Sequence, residues 1–133
     1  MGDLHRIYDA YRDRANFLTV YISEAHPDDE WQMESNQLQG FVLKQPRVLD
    51  ERKKAAGILV DRLKYRMPLA IDMMDNRTEK AYAGWPERIY ILGTDGKVLF
   101  KGDVGPFGFH PDEAEKALAK LVTASAATTA AAR

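Results

Sequence analysis

The order of apolar segments along the chain is the feature that most constrains its fold. Short runs rich in β-branched and aromatic residues alternate with segments whose apolar residues recur every three or four positions. The pattern predicts the order helix, strand, helix, strand, helix, strand, strand, helix. Strands separated by helices favour an α/β fold with parallel strands, and two adjacent strands at the end favour an antiparallel hairpin.

The hairpin has the strongest local signal. Gly93–Gly96 lies between two apolar runs and has the Asp-Gly chemistry of a tight turn. The first strand is apolar throughout, which is typical of strands in parallel sheets. Strands are predicted at 17–22, 68–72, 88–92 and 97–101, and helices at about 2–14, 48–64, 78–83 and 111–122.

The size and charge of the chain bound its class. Its 133 residues suit one domain with a single core, which we place at 1–122, followed by a low-complexity alanine and threonine tail at 123–133 with nothing to bury. There are 19 basic and 20 acidic residues without a basic patch, so no nucleic-acid partner is expected. The apolar runs are too short to cross a bilayer, so no membrane is expected either, and the cytoplasm is the default location.

The sequence contains no cysteine. Disulfides, thiolate zinc sites and thiol catalysis are therefore excluded for the residues given. No phosphate-binding loop or nucleophile elbow is present, and we expect neither a cofactor nor a metal. His26 beside Asp28, Asp29 and Glu30 leaves a metal-dependent hydrolase as an alternative, but adjacent carboxylates that are not spaced to converge favour a solvated acidic loop.

Five short segments of the chain follow one another in a characteristic order. They are Tyr21–Asp28 with Trp31, Leu49–Arg52, Asp72–Asn76, Ala81–Tyr90, and Lys101–Gly102 with Gly105–Phe109. Together they resemble the iodothyronine deiodinase family and its bacterial relatives, which are thioredoxin-fold proteins close to the peroxiredoxins. The resemblance implies a thioredoxin-like mixed sheet and thiol- or selenol-dependent reduction of a small substrate, such as a peroxide or a halogenated aromatic.

The resemblance also implies a β-strand and a loop carrying cysteine or selenocysteine ahead of residue 1. In a thioredoxin-like sheet that strand lies between the strands at Phe17 and Arg88, so without it two strand edges are unpaired. We expect a truncated natural protein that lacks its first β-strand and is redox-inactive as given. The alternatives are strand exchange in a homodimer, a rearranged sheet, or a non-catalytic binding module on a retained scaffold.

Candidate catalytic residues follow the first strand. Tyr21, Glu24 and His26 match positions that in the family form a hydrogen-bonded proton-delivery group, here vestigial. Ligand sites in open α/β sheets lie at the carboxyl ends of strands, and His26 titrates near neutrality with Glu24 placed to orient it. From the residues alone, a solvated strand end explains Glu24 and His26 as well; the resemblance favours the catalytic interpretation.

Substrate-binding residues are assigned from the same resemblance. We assign Trp31, Trp85 and Pro86 to substrate binding. Thioredoxin folds place a cis proline where Trp85-Pro86 stands, and the alternative is an ordinary proline at a strand start. Pro46 replaces a second histidine of vertebrate deiodinases, and Val104 replaces a basic residue that holds the amino-acid end of the hormone. Both departures argue against thyroid hormone, so the substrate stays unassigned.

Overall fold

The computed structural model describes residues 2–25 and 45–131. The chain divides into two compact units, Met1–Phe17 with Glu87–Arg133 and Leu18–Pro86. Within the described ranges the structure is mixed α/β, with a parallel strand pair in one unit and an antiparallel hairpin in the other. Both pairings are those predicted from the sequence.

The secondary structure elements follow the predicted order. The helices are α1 (Gly2–Tyr11), α2 (Leu49–Leu63), α3 (Arg77–Tyr82) and α4 (Pro111–Ala131), and the strands are β1 (Thr19–Tyr21), β2 (Leu69–Ile71), β3 (Tyr90–Leu92) and β4 (Val98–Lys101). The predicted end of the last helix near residue 122 is wrong, since α4 continues through the alanine-rich tail. Alanine has the highest helix propensity, so an alanine-rich run favours the continuation of a helix.

The unit Leu18–Pro86 is built on the parallel pair. Strand β1 aligns with β2 so that Thr19 is opposite Leu69 and Tyr21 is opposite Ile71. The connecting helix α2 packs on the pair, and the buried core is formed by Tyr21, Ala55 and Ala56, with Leu59, Leu69 and Ile71 against it. Because the two strands are parallel, their carboxyl ends lie at the same edge. The segments that follow Tyr21 and Ile71 are therefore neighbours.

The other unit combines the hairpin with α1 and α4. Gly93 donates to the carbonyl of Lys97 at 2.8 Å, and Gly96 has a φ of 81°, the left-handed conformation that favours glycine. Helices α1 and α4 are joined by two hydrogen bonds of 2.7 and 2.6 Å from Arg6 to Glu115. None of the helices in the described part of the chain is both long and apolar enough to cross a membrane.

Candidate functional site

The carboxyl ends of β1 and β2 are joined by hydrogen bonds. The amide of Asp72, just after β2, donates to the carbonyl of Tyr21 at 2.9 Å. Two residues beyond β1, Ser23 donates to the Glu79 carboxylate on α3, from its hydroxyl and from its amide, the latter at 3.2 Å. The chain leaving β1 is thereby held against β2 and α3.

Asp72 caps α3 from the end of β2. Its side chain is buried, and its carboxylate accepts from the amides of Met73, Thr78 and Glu79 at 3.0, 3.1 and 2.9 Å. Burial raises the pKa of Asp72, but the hydrogen bonds lower it by more, so that the pKa lies below its ordinary value. Asp72 is therefore an ionised structural cap and has no proton to donate near neutral pH.

Arg52 reaches the same edge from α2 and is only 2% exposed. Its Nη1 donates to the carbonyls of Asp72 and Met73 at 3.1 and 2.9 Å, and its Nη2 donates to Asn76 Oδ1 at 2.8 Å. Its Nε has no hydrogen-bond partner among the described residues. A buried N–H without an acceptor is costly, so this nitrogen needs an explanation.

Sequence reasoning assigned no role to Arg52. The available signal was its spacing, because Arg52 lies three and four positions before Ala55 and Ala56 and so shares their buried face of α2. A charged residue in that position indicates a buried partner. The partners are backbone and side-chain oxygens of the loop after β2, which lie 20 to 24 residues further along the chain.

Glu24 lies three residues beyond the end of β1, and its backbone is fixed by hydrogen bonds. Its amide donates to Gln45 Oε1 at 3.1 Å, and Gln45 Nε2 donates to its carbonyl at 3.2 Å. Its side-chain Oε1 is buried and has no partner among the described residues. Burial raises the pKa of Glu24 to about 7, and the positive charge of Arg52 opposes the rise. Glu24 can therefore hold and release a proton near neutral pH.

Tyr21 completes the group of buried polar atoms. The ring packs against α2 in the core, and the hydroxyl has no partner within the described ranges. Among the described residues of this unit, three buried side-chain atoms have no hydrogen-bond partner: Tyr21 OH, Glu24 Oε1 and Arg52 Nε. Unpaired buried polar atoms of this kind are rare in folded proteins and often mark a catalytic role or a bound water.

The structure places some of the other predicted site residues. His26 and Trp31 lie outside the described residues, as do Asp28, Asp29 and Glu30. The Trp85–Pro86 peptide bond is cis, as the resemblance implies, and Trp85 is about half exposed. Among the described residues, no group of three or more histidine, aspartate or glutamate side chains is placed to hold a metal ion.

The segment before Trp85 lies beside the end of β1. A Cβ built on Gly84 would lie 3.9 Å from Ile22 Cδ1, which shows how closely the two segments approach. Pro46, at the position where the resemblance expects a histidine, is buried directly after Gln45, whose side chain brackets Glu24. The segments named by the resemblance at 22–24, 45–46 and 84–85 therefore belong to the same neighbourhood of this unit.

A parallel strand pair with an acid of near-neutral pKa just beyond its carboxyl end defines an α/β protein with its candidate site at the strand ends. The model of the iodothyronine deiodinase family matches residues 1–122. The chain belongs to this family and is a deiodinase-like domain.

Several curated proteins are similar to this chain. It is 36% identical to the type I iodothyronine deiodinase of Xenopus laevis over 120 residues, which cover 90% of this chain and 45% of that protein. It is 35% identical to the thyroxine 5-deiodinase of Sparus aurata and 34% identical to that of Gallus gallus, each over 85% of this chain and over 40% and 42% of the relative. The chain thus spans less than half the length of these relatives.

The proton affinity of Glu24 predicts a pH-dependent stability. The pKa of about 7 in the folded chain lies above the ordinary value of 4.5, so the folded state binds the proton more tightly than the unfolded state. The contribution of Glu24 to the free energy of unfolding is fully present below about pH 4.5 and is lost as the pH rises through about 7. We expect Glu24→Gln to remove this loss and, allowing for partial solvent screening, to be more stable than the wild type by about 1–2 kcal/mol above that pH.

Urea unfolding followed by circular dichroism, repeated from about pH 4 to about pH 8, measures this difference. The matched control is Glu113→Gln, which makes the same change at an exposed position on α4. Parallel pH profiles for the wild type and Glu24→Gln would show that Glu24 does not have the raised pKa.

Proposed function

We propose that this chain forms the acid side of a thioredoxin-like, deiodinase-type oxidoreductase domain. In this domain Tyr21, Glu24 and His26 deliver a proton to the reacting substrate. The observation that carries the proposal is the Glu24 carboxyl, whose Oε1 is buried without a partner in the described part of the chain and whose pKa lies near neutrality. Family membership and the position of Glu24 after a parallel strand support it.

The chemistry of the proposed reaction explains why an acid is needed. In the reductive removal of a halogen from an aromatic ring, a thiolate or selenolate attacks the halogen. The carbon–halogen bond breaks, a sulfur–halogen or selenium–halogen bond forms, and the electron pair stays on the ring carbon until an acid protonates it. A second thiol then displaces halide and becomes oxidised to the disulfide or selenenyl sulfide. Reduction of a peroxide likewise needs an acid, which protonates the departing oxygen.

The nucleophile is the part that the given residues do not supply. The sequence has no cysteine, and the thioether of methionine has no ionisable proton and cannot replace a thiolate. We infer that the chain as given is redox-inactive and that the proton-delivery group acts when a strand and redox loop of the family type complete the sheet. Trp31, Trp85 and Pro86 remain the proposed substrate-binding residues.

The substrate we propose is a small halogenated aromatic or a peroxide, not thyroid hormone. The relatives' names concern iodothyronines, but Pro46 and Val104 stand at positions where the resemblance expects the residues that grip the hormone. Pro46 is an apolar residue without a donor, and Val104 carries no charge. Neither can hold the carboxylate or amine of an amino acid.

A chimera tests the acid role. A strand and a cysteine-bearing loop of the family are joined ahead of Gly2, and turnover of hydrogen peroxide and of iodinated phenols is measured with dithiothreitol. We expect the unmodified chain to match the buffer blank and the chimera to exceed it. Glu24→Gln and His26→Ala in the chimera should each lower kcat by about 10²–10⁴-fold, the contribution of a lost general acid.

Two controls sharpen this experiment. Replacing the added cysteine with serine should return the chimera to the blank, and Glu113→Gln, an exposed change on α4, should leave its rate unaltered. Activity of the unmodified chain that persists through repeated purification would overturn the inferred redox inactivity. A folded chimera that is inactive, or that ignores Glu24→Gln, would refute the acid role.

A second candidate function is self-association through an open strand edge. Among the described residues, β1 pairs only with β2 and β3 only with β4. The amide of Thr19 donates to Pro68 and the carbonyl of Tyr21 accepts from Asp72, both on the β2 side. Because successive residues of a strand point their backbone groups to opposite sides, those of Val20 face the open edge. This edge favours a homodimer that pairs strands across the interface.

Light scattering at micromolar concentration tests the homodimer. We expect a dimer for the wild type and a monomer for Val20→Pro, which removes the edge N–H and leaves the bonds of β1 to β2 in place. Val20→Thr keeps that N–H and should remain a dimer. A wild-type monomer, or a dimer that tolerates Val20→Pro, would exclude pairing through this edge.

A further inference from the structure

The guanidinium of Arg52 is fixed in place by the loop between β2 and α3. Its Nη1 is engaged by the carbonyls of Asp72 and Met73, and its Nη2 by the side chain of Asn76. Because a guanidinium is planar, three bonds at its two terminal nitrogens also fix the direction of its Nε–H. That N–H has no acceptor among the described residues.

Glu24 offers the complementary atom in the same unit. Its Oε1 is buried and has no donor in the described ranges, while Gln45 holds its backbone on both the amide and the carbonyl. The amide of Asp72 is bonded to the carbonyl of Tyr21, so the guanidinium and the end of the strand that leads to Glu24 are both hydrogen-bonded to Asp72. The positive charge of Arg52 also acts on the pKa of Glu24, against the larger effect of burial.

We propose that Arg52 is a positioning residue for Glu24, and that its fixed Nε–H receives the carboxylate formed when Glu24 releases its proton. While the O–H bond of Glu24 is intact, the carboxyl is neutral. When that bond breaks, the proton passes to the substrate atom that accepts it, and the negative charge stays on the carboxylate beside Arg52. A charge-assisted hydrogen bond then stabilises a carboxylate that would be costly to bury alone. The inference rests on the proposed acid role of Glu24.

Other ionisable groups on the elements around Glu24 have different tasks. Asp72, after β2, is ionised and caps α3. Glu79, on α3, accepts both hydrogen bonds from Ser23. Tyr21, on β1, adds a buried hydroxyl that has no partner among the described residues. Arg52, on α2, contributes the positive charge that acts on the pKa of Glu24.

Nuclear magnetic resonance of the full chain tests the inference without catalysis. The carboxyl carbon of Glu24 and the Nε–Hε group of Arg52 are followed across a pH titration, with Glu24 assigned by its loss in Glu24→Gln. We expect both signals to move with one shared midpoint near pH 7. The Arg52 signal should stop responding in Glu24→Gln. The Nε–Hε group of Arg77, which bonds Asp75 on the surface, is the internal reference and should show no such midpoint.

Variants of Arg52 provide the second readout. Arg52→Met should raise the titration midpoint of Glu24 by at least about one pH unit, because the charge that opposes burial is lost. Arg52→Lys keeps the charge but has no planar Nε–H, so its midpoint should fall between those of the wild type and Arg52→Met. Lys53→Met removes a charge from the next residue of α2, which is exposed and pairs with Asp50, and should not move the midpoint.

The inference is overturned if the Arg52 signal is insensitive to the ionisation of Glu24 in the wild type. That measurement needs no variant and stands even where Arg52→Met fails to fold. A folded Arg52→Met in which Glu24 has the same titration midpoint as in the wild type would likewise overturn the inference. It would show that Arg52 only holds the loop after β2. An Arg52 signal that does not follow the ionisation of Glu24 refutes this inference alone. A chimera whose rate is unchanged by Glu24→Gln refutes the acid role and leaves the coupling between Arg52 and Glu24 intact.

Discussion

The contact of Arg52 with the loop after β2 is the interaction on which the candidate site depends. This single buried side chain joins α2 to the carbonyls of Asp72 and Met73 and to Asn76, and so sets the path of the chain from β2 into α3. Asp72 in turn holds the first turn of α3 and the end of β1. The edge where Glu24 lies is therefore shaped by the buried side chains of Arg52 and Asp72.

Beside these two side chains, Glu24 is a group whose charge changes near neutral pH. Its burial and the opposing charge of Arg52 leave its pKa at about 7. A carboxyl in this balance exchanges its proton under the conditions in which enzymes usually work, which is the property that a general acid requires. We propose that the chain supplies the acid side of a reduction, and its sequence contains no cysteine. Because an acid is present and a thiol is not, we propose that the site acts together with a redox loop of the family type.

Local chemistry explains which features could be predicted from the sequence. The hairpin at Gly93–Gly96 follows from turn residues alone, and the parallel pair follows from apolar runs separated by a helical pattern. The predicted end of the last helix is wrong. The low-complexity composition of the tail suggests a segment without structure, but alanine favours helix. Glu24 was identified through the resemblance, but as a residue that orients His26 and not as a group that titrates near neutral pH.

Arg52 could not be recognised in the same way. Its partners are 20 to 24 residues away, and two of them are backbone carbonyls that no side-chain motif records. Only its place on the buried face of α2 gave a sign of the contact. The raised pKa of Glu24 also depends on burial by distant segments, which periodicity does not reveal.

The central claim is that Glu24 holds a proton in the folded chain at a pH where an ordinary carboxyl has lost it. Infrared difference spectroscopy between the wild type and Glu24→Gln at about pH 6 measures this most directly, because protonated and ionised carboxyl groups absorb at different frequencies. The account predicts a protonated-carboxyl band that the variant lacks and that disappears as the pH passes about 7. A spectrum that shows only the carboxylate of Glu24 at about pH 6 would contradict it.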